Sequence, residues 1–451
     1  MATDTPQPPR RRLSLFDATS IMVGIIIGSS IYKLAPVIAA SVPTPTALMF
    51  AWAAGGLFAL CGAFCYAELA CAMPEDGGEY NYLGRAYGSR VAFLYAWAVM
   101  WVIRPGTIGS IAFVFGEHFV ELFPVRNMLG SVGFAVAIVV LLTAVNMLGI
   151  RPGTRTQNAL SIAKLVGLLA IVLIAFIRPA SENINETVAV ATTTDWRLAM
   201  IFILYAFGGW SDMPMVAAEV REPERNLSRG LVYGALVVTA IYLLVNLACL
   251  YSLGFERFQQ TDLIAVELVR PLLGETGERL VAALVCITAA GALNAMIFTG
   301  ARVSFALGKD HGWFGWLANW SDRYGGPLVA LAAQCAISVS LIRGFGQRGD
   351  GFGRMLNYTS PVFFAFFLLT GVALGILRRR EPNLPRPYRT TGYPVTWLIF
   401  CLSSAFMLYS SVSYAVEQFG KSEGLPEAGW AGGVMLAGLV IALLARRKAP
   451  P

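Results

Sequence analysis

The 451-residue chain is predicted to be an all-α membrane protein of twelve transmembrane helices: two inverted repeats of five helices, with helices 1 and 6 broken in mid-membrane, and two further helices. Three observations predict this. Mean hydropathy is +0.62, with 56% hydrophobic and only 14% charged residues, where soluble domains carry about 25% charge. Twelve apolar segments are each close to the roughly 20 residues that cross a hydrocarbon core of about 30 Å. The first and sixth are both interrupted by small residues, the pattern of a transporter whose site lies at the bilayer midplane.

Taken in order, the first segment (15–41) contains GIIIGSSIYKLAP at 24–36, which puts Gly28, Ser29 and Ser30 where helix interior is expected. Segments 46–73, 90–118, 128–149 and 157–178 complete a first repeat over 13–178. The sixth (196–219) includes IFILYAFGGWSDMPMVAAEV at 201–220, interrupted by Gly208, Gly209 and then Pro214. Segments 230–254, 279–306, 327–343 and 355–377 complete a second repeat over 196–378. The last two, 394–416 and 427–445, occupy 393–446, and tails at 1–12 and 447–451 flank the whole.

Charge sets the expected orientation. With the N-terminus inside, inner segments hold 21 Lys and Arg against 11 outside, so both termini are expected in the cytoplasm of a plasma-membrane protein. The pI near 9.1 then reflects topology and anionic-lipid contact and argues against a nucleic-acid partner. The first 12 residues are polar and end in Arg10, Arg11 and Arg12, unlike a cleavable signal peptide. All seven cysteines fall within predicted helices, with no disulfide framework. His118 and His311 are single and far apart, so no metal site, cofactor or hydrolytic constellation is expected.

The breaks carry the chemistry. Irregular backbone at membrane depth survives only where protein or a cavity covers it. Residues 28–30 would free N–H groups at the start of an outer half-helix, which favours a carboxylate. Carbonyls near Ile26 and Ile27, and from Tyr205 to Gly208, would suit an ammonium. Opposite charges close together describe an α-amino acid. Small residues at helix contacts are the competing explanation of either break alone.

These residues resemble a known family. IIIGSSIYKLAP, WVIRPGT (101–107), TAVNMLGIRPGTRTQN (143–158), YAFGGW (205–210), EVREPERNLSRG (219–230) and GALNAMIFTGAR (291–302) are similar to motifs of the amino acid–polyamine–organocation superfamily, and within it of the L-type amino acid transporter group. The likeness runs from Leu13 to about Tyr393 and implies the LeuT-type fold with exchange or uptake of amino acids. Carried over, it implies a substrate site at Ile26, Gly28, Ser29, Ser30, Tyr205, Phe207, Gly208 and Ser211. The chain departs from the family's pattern at Ser30, where Gly is usual, at Tyr205, often a Phe gate, and at Lys33, usually apolar. Animal relatives with an attached heavy chain carry a cysteine between helices three and four. ELFPVRNML (121–129) has none, so no disulfide-linked partner is expected.

Charges within spans are costly and mark cavities or partners. The resemblance places Lys164 where sodium-coupled relatives bind sodium, between helices 1 and 8, and implies that its ammonium replaces the ion. Arg104, before Pro105, is read either as a cation lining the substrate path or as a kink residue paired to backbone carbonyls. Asp212 is read as an acid that caps the first turn after the break, or else as a counter-charge for a cationic substrate. Glu68 and Glu219 are expected to pair with loop arginines. The sequon at Asn185 is too short a match to weigh. The chain is thus expected to be a sodium-independent transporter of neutral L-amino acids and not an enzyme. A proton-coupled or cationic carrier is the alternative, and a non-transporting sensor of the same fold is the reading from another class.

Overall fold

In the computed structural model, residues 11–28, 30–123, 130–177, 194–261, 264–347, 349–419 and 426–444 are described. Ser29, most of the 121–129 loop, the Asn185 sequon and the greater part of both tails lie outside them. Ser30 and Lys33 are described by their helical backbone alone.

Among the described residues eleven helices are long and apolar enough to cross a membrane. They are Pro45–Ala72, Ser89–Leu122, Gly130–Met147, Ile150–Ile177, Trp196–Glu219, Pro223–Leu253, Ile264–Asp310, Leu328–Gly346, Gly351–Arg380, Val395–Gln418 and Glu427–Leu444, here spans 2 to 12. Span 1 is two shorter helices, Leu15–Ile26 and Ser30–Ala40. The architecture is the expected all-helical one with breaks in spans 1 and 6, and among the described residues β-structure is limited to isolated bridges.

Several helices outrun their predicted bounds. Hydropathy marks only the apolar part of a helix, whereas Glu and Arg continue one at little cost. Span 8 therefore runs 47 residues, with non-helical backbone at Gly274 joining its two parts. Span 7 starts at Pro223, whose missing N–H suits a first helical position. The polar helix Glu79–Tyr87 has no hydropathy signal and was not expected.

The halves of the two broken spans pack crosswise. The first half of span 1 lies against the second half of span 6, and its second half against the first half of span 6, as an inverted repeat requires. Spans 5, 7 and 8 also hold the first half of span 1. Elsewhere small residues let helices close: a Cβ on Gly116 would sit 2.1 Å from the Ser131 carbonyl oxygen, so spans 3 and 4 meet backbone to backbone.

At the end where the chain begins, ion pairs bind the spans together. Glu68 takes Arg378 at 2.5 Å and Arg386 at 3.1 Å, both from span 10 and the loop after it. Glu219 departs from its expected loop partner and pairs with Arg302 of span 8 at 2.7 Å. The reason is burial: both side chains are almost wholly enclosed, and an enclosed carboxylate needs a cation within the bundle. The Glu219 carbonyl also accepts the N–H groups of Arg12 and Leu13, at 2.8 and 2.9 Å, which straps the start of the chain to the end of span 6.

Candidate functional site

Span 1 begins on a reciprocal cap: Ser14 Oγ accepts the Asp17 N–H at 3.2 Å, and the Asp17 carboxylate accepts the Ser14 N–H at 2.9 Å. Its first helix stops where Ile27 leaves helical geometry, at φ −76° and ψ 80°. The Gly28 N–H then turns back to the Ile26 carbonyl at 2.8 Å, a three-residue turn. In span 6 the helix ends at Ala206, and the Gly208 N–H bonds the Tyr205 carbonyl at 3.0 Å. Gly209 has φ +108°, a conformation that only glycine adopts readily. A Cβ there would meet Ile25 at 2.4 Å. The two breaks therefore touch.

Tyr242 of span 7, absent from the sequence-based candidates, joins them. Its hydroxyl lies 2.8 Å from the Ile26 carbonyl and 3.1 Å from that of Ala206. The signal was present: a tyrosine within an apolar span must find a partner for its O–H. Tyr242→Phe is expected to leave a released carbonyl without a donor and lower stability by about 1–3 kcal/mol, read as a fall in the thermal unfolding temperature of purified protein. An unchanged temperature would reduce Tyr242 to its ring packing against Trp52.

The same contacts change how Ile26 and Gly28 are read. Both lone pairs of the Ile26 carbonyl are engaged, by Gly28 and Tyr242, and the Gly28 N–H points at Ile26. A backbone kept together in mid-bundle satisfies its own groups first. A ligand would have to replace these bonds. The Tyr205 carbonyl likewise accepts the Gly208 N–H and is faced by that of Phe207.

Lys164 is 1% exposed. Its ammonium donates to the Gly24 carbonyl at 2.7 Å and the Ile27 carbonyl at 3.0 Å, and a Cβ on Gly291 of span 8 would lie 3.2 Å from Nζ. It thus ties span 5 to the carbonyls preceding the first break, beside span 8. Below it runs a chain of amides: Asn294 donates to Gln157 at 3.0 Å, and Asn146 to Asn294 at 2.8 Å.

A cavity of about 200 Å³ lies between the breaks and spans 3 and 10. Ile26, Gly28, Tyr205, Phe207 and Gly208 form part of its wall, together with Thr107 and Phe363. Ser211 is buried and does not belong to the wall, because the tight 3-10 winding after Gly209 turns it away.

Arg104 and Asp212 also line the cavity, paired through both terminal guanidinium nitrogens at 2.6 Å. Pro105 lacks the N–H that would continue the α-helical ladder. The preceding turn widens into π-helix at Val99–Ile103, and the Arg104 N–H reaches back to Val99. This displacement aims Arg104 inward. Arg104 lines the cavity, as one of its two readings expected, but the other needs correction because it bonds a carboxylate and not backbone carbonyls. The capping reading of Asp212 needs correction too, because its carboxylate turns to Arg104 and not to the first-turn N–H groups. Low dielectric makes the bidentate ion pair the stronger contact. Among the described residues no group of His, Cys, Asp and Glu could hold a metal, and all seven cysteines are free.

The chain is similar to known proteins along most of its length. The family description "Amino acid permease" matches residues 13–435. The chain is 27% identical to the serine/threonine exchanger SteT of Bacillus subtilis, over 89% of this chain and 91% of that protein. It is 28% identical to the mouse Asc-type amino acid transporter 1, covering 89% and 76%. With the human b(0,+)-type amino acid transporter 1 the identity is also 28%, covering 89% and 83%.

Proposed function

The chain belongs to the amino acid permease family, and from that premise we propose that it carries neutral L-amino acids across the plasma membrane by alternating access, without sodium. One observation carries the reading: the breaks of spans 1 and 6 meet at a cavity lined by Arg104 and Asp212, which neutralise each other. An amino acid's own carboxylate and ammonium would exchange places with the Gly28–Ile26 and Gly208–Tyr205 backbone bonds, with Ser29 and Ser30 supplying further N–H groups. Tyr205 would close over the bound molecule, and Phe207 would support it. A cationic side chain gains little from Asp212, because that carboxylate is already bonded through both oxygens. Glu79, the other acid of the wall, is taken up by the Tyr66 and Tyr95 hydroxyls, and together these contacts favour neutral substrates over cationic ones.

Lys164 places a fixed positive charge against the carbonyls of the first break, so a coupling sodium there would be repelled. Both termini are assigned to the cytoplasm on the distribution of Lys and Arg. No disulfide-linked heavy chain is proposed, and the lipid bilayer is the remaining partner.

The test is reconstitution into liposomes preloaded with unlabelled amino acid. Labelled serine, threonine, alanine and leucine are expected to accumulate equally with and without a sodium gradient, and excess lysine or arginine is expected to compete poorly. Binding without flux would identify a sensor. Sodium stimulation would end the ion-replacement role of Lys164, and strong competition by arginine would end the neutral preference.

A further inference from the structure

We propose that Glu79 is a proton-binding site of the amino acid cavity, loaded and unloaded as the transporter cycles. This rests on reading the cavity as the amino acid site. Glu79 begins the short helix Glu79–Tyr87 in the connection between spans 2 and 3, yet its side chain enters the bundle, is 4% exposed and forms part of the cavity wall.

Its surroundings differ from those of the other buried acids. Asp212 is matched by Arg104, Glu219 by Arg302, and Glu68 by Arg378 and Arg386. Among the described residues no Lys or Arg nitrogen bridges Glu79. Its two oxygens instead accept the hydroxyls of Tyr66 from span 2 and Tyr95 from span 3. The charged groups facing it are Arg104 of span 3 and Asp212 of span 6, which act on it in opposite senses, while Tyr82 stands on its own short helix.

A buried carboxylate without a cation is more stable neutral. Burial raises the carboxyl to about 7 against the lowering effect of the two hydroxyls. The exchange balances simply. A proton from cavity water adds to one carboxylate oxygen, its charge goes from −1 to zero, and the new O–H donates to a tyrosine oxygen whose own hydrogen turns away.

Two contacts would carry that change to the moving parts. The Tyr66 ring meets Trp210 edge-on at 4.8 Å, immediately after the Gly208–Gly209 break. The Gly77 N–H donates to the Met215 carbonyl at 3.3 Å, which ties the segment bearing Glu79 to the second half of span 6. A proton on Glu79 therefore bears on the packing of the element expected to rearrange with substrate.

The experiment is uptake by proteoliposomes across a pH series, with Glu79→Gln, Asp76→Asn and Tyr66→Phe compared with wild type. Asp76 is a competing titratable group in the same connection, since burial raises its carboxyl to about 6 beside Lys309. A single group near 7 passes from about nine-tenths protonated at about pH 6 to about one-tenth at about pH 8. Wild-type uptake should therefore change up to about ninefold over that range. Glu79→Gln should be flat and Asp76→Asn should keep the inflection. Tyr66→Phe should move it to higher pH, because the carboxylate loses a donor.

A pH-independent wild type, an inflection kept in Glu79→Gln, or one lost in Asp76→Asn alone overturns the proposal. If Glu79→Gln cannot be purified folded, Tyr66→Phe decides, and an unmoved inflection overturns it. Absence of wild-type uptake at every pH defeats the transport reading instead. Infrared titration of purified protein then judges the proton site by itself: a protonated-carboxyl band that titrates near pH 7 should vanish in Glu79→Gln, and its persistence overturns the assignment.

Discussion

Arg104→Ala is expected to cost about 3–5 kcal/mol of stability and to abolish transport, because it strands the Asp212 carboxylate inside the bundle. The Arg104 and Asp212 side chains are only 5% and 6% exposed. Besides its two Arg104 bonds, the Asp212 carboxylate has among the described residues only a long contact of 3.5 Å from Thr299, too weak to replace a guanidinium. The loss belongs to the stranded charge and not to the missing attraction, which sets the diagnostic. Combining Arg104→Met with Asp212→Leu should recover most of the folding stability, since an apolar pair of similar volume avoids the desolvation of both ions. Transport should stay low in the double variant because the cavity wall has changed. Thermal unfolding and uptake measured on the same preparations separate the two effects. A double variant no more stable than Arg104→Ala would show that the pair is not what holds spans 3 and 6 together.

Lys164→Ala is expected to unbalance the two faces of the transporter. It removes the ammonium that holds the Gly24 and Ile27 carbonyls, contacts to a charged donor worth about 1.5–3 kcal/mol each. If alternating access moves span 1 against span 5, these bonds differ between states, and only such differential contacts shift the equilibrium. If one bond is lost on one side of the cycle alone, affinities measured from the two faces should diverge about tenfold or more. The measurement is competition by unlabelled substrate presented at either face of oriented proteoliposomes. Equal affinities and normal rates would make the lysine a tolerated passenger.

Much of this protein was legible in its sequence because the bilayer restricts what a chain can do. A membrane span must be a helix that satisfies its own backbone, so apolar length alone marked the spans. Gly28 and Gly208–Gly209 were visible as breaks for the same reason: nothing else explains paired interruptions at matching places. The polar helix Glu79–Tyr87 escaped, since hydropathy is blind to a helix that dips into the bundle from its end. Tyr242 and Glu79 also escaped as site residues, one within an apolar run and the other in a connection, with no local pattern to distinguish them.

The sequence by itself thus determined the solvent, the number of spans and the two broken positions, because these depend on local composition and on the cost of an unsatisfied backbone. Only the tertiary structure decided who bonds whom: that Arg104 faces Asp212, that Glu219 takes Arg302, that Tyr242 bridges both breaks, and that Glu79 sits between two tyrosines without a cation. The partners in these contacts lie from 13 to 216 residues apart along the chain. Buried polar groups bind whichever partner packing brings within about 3 Å, and where packing brings them is a property of the assembled bundle.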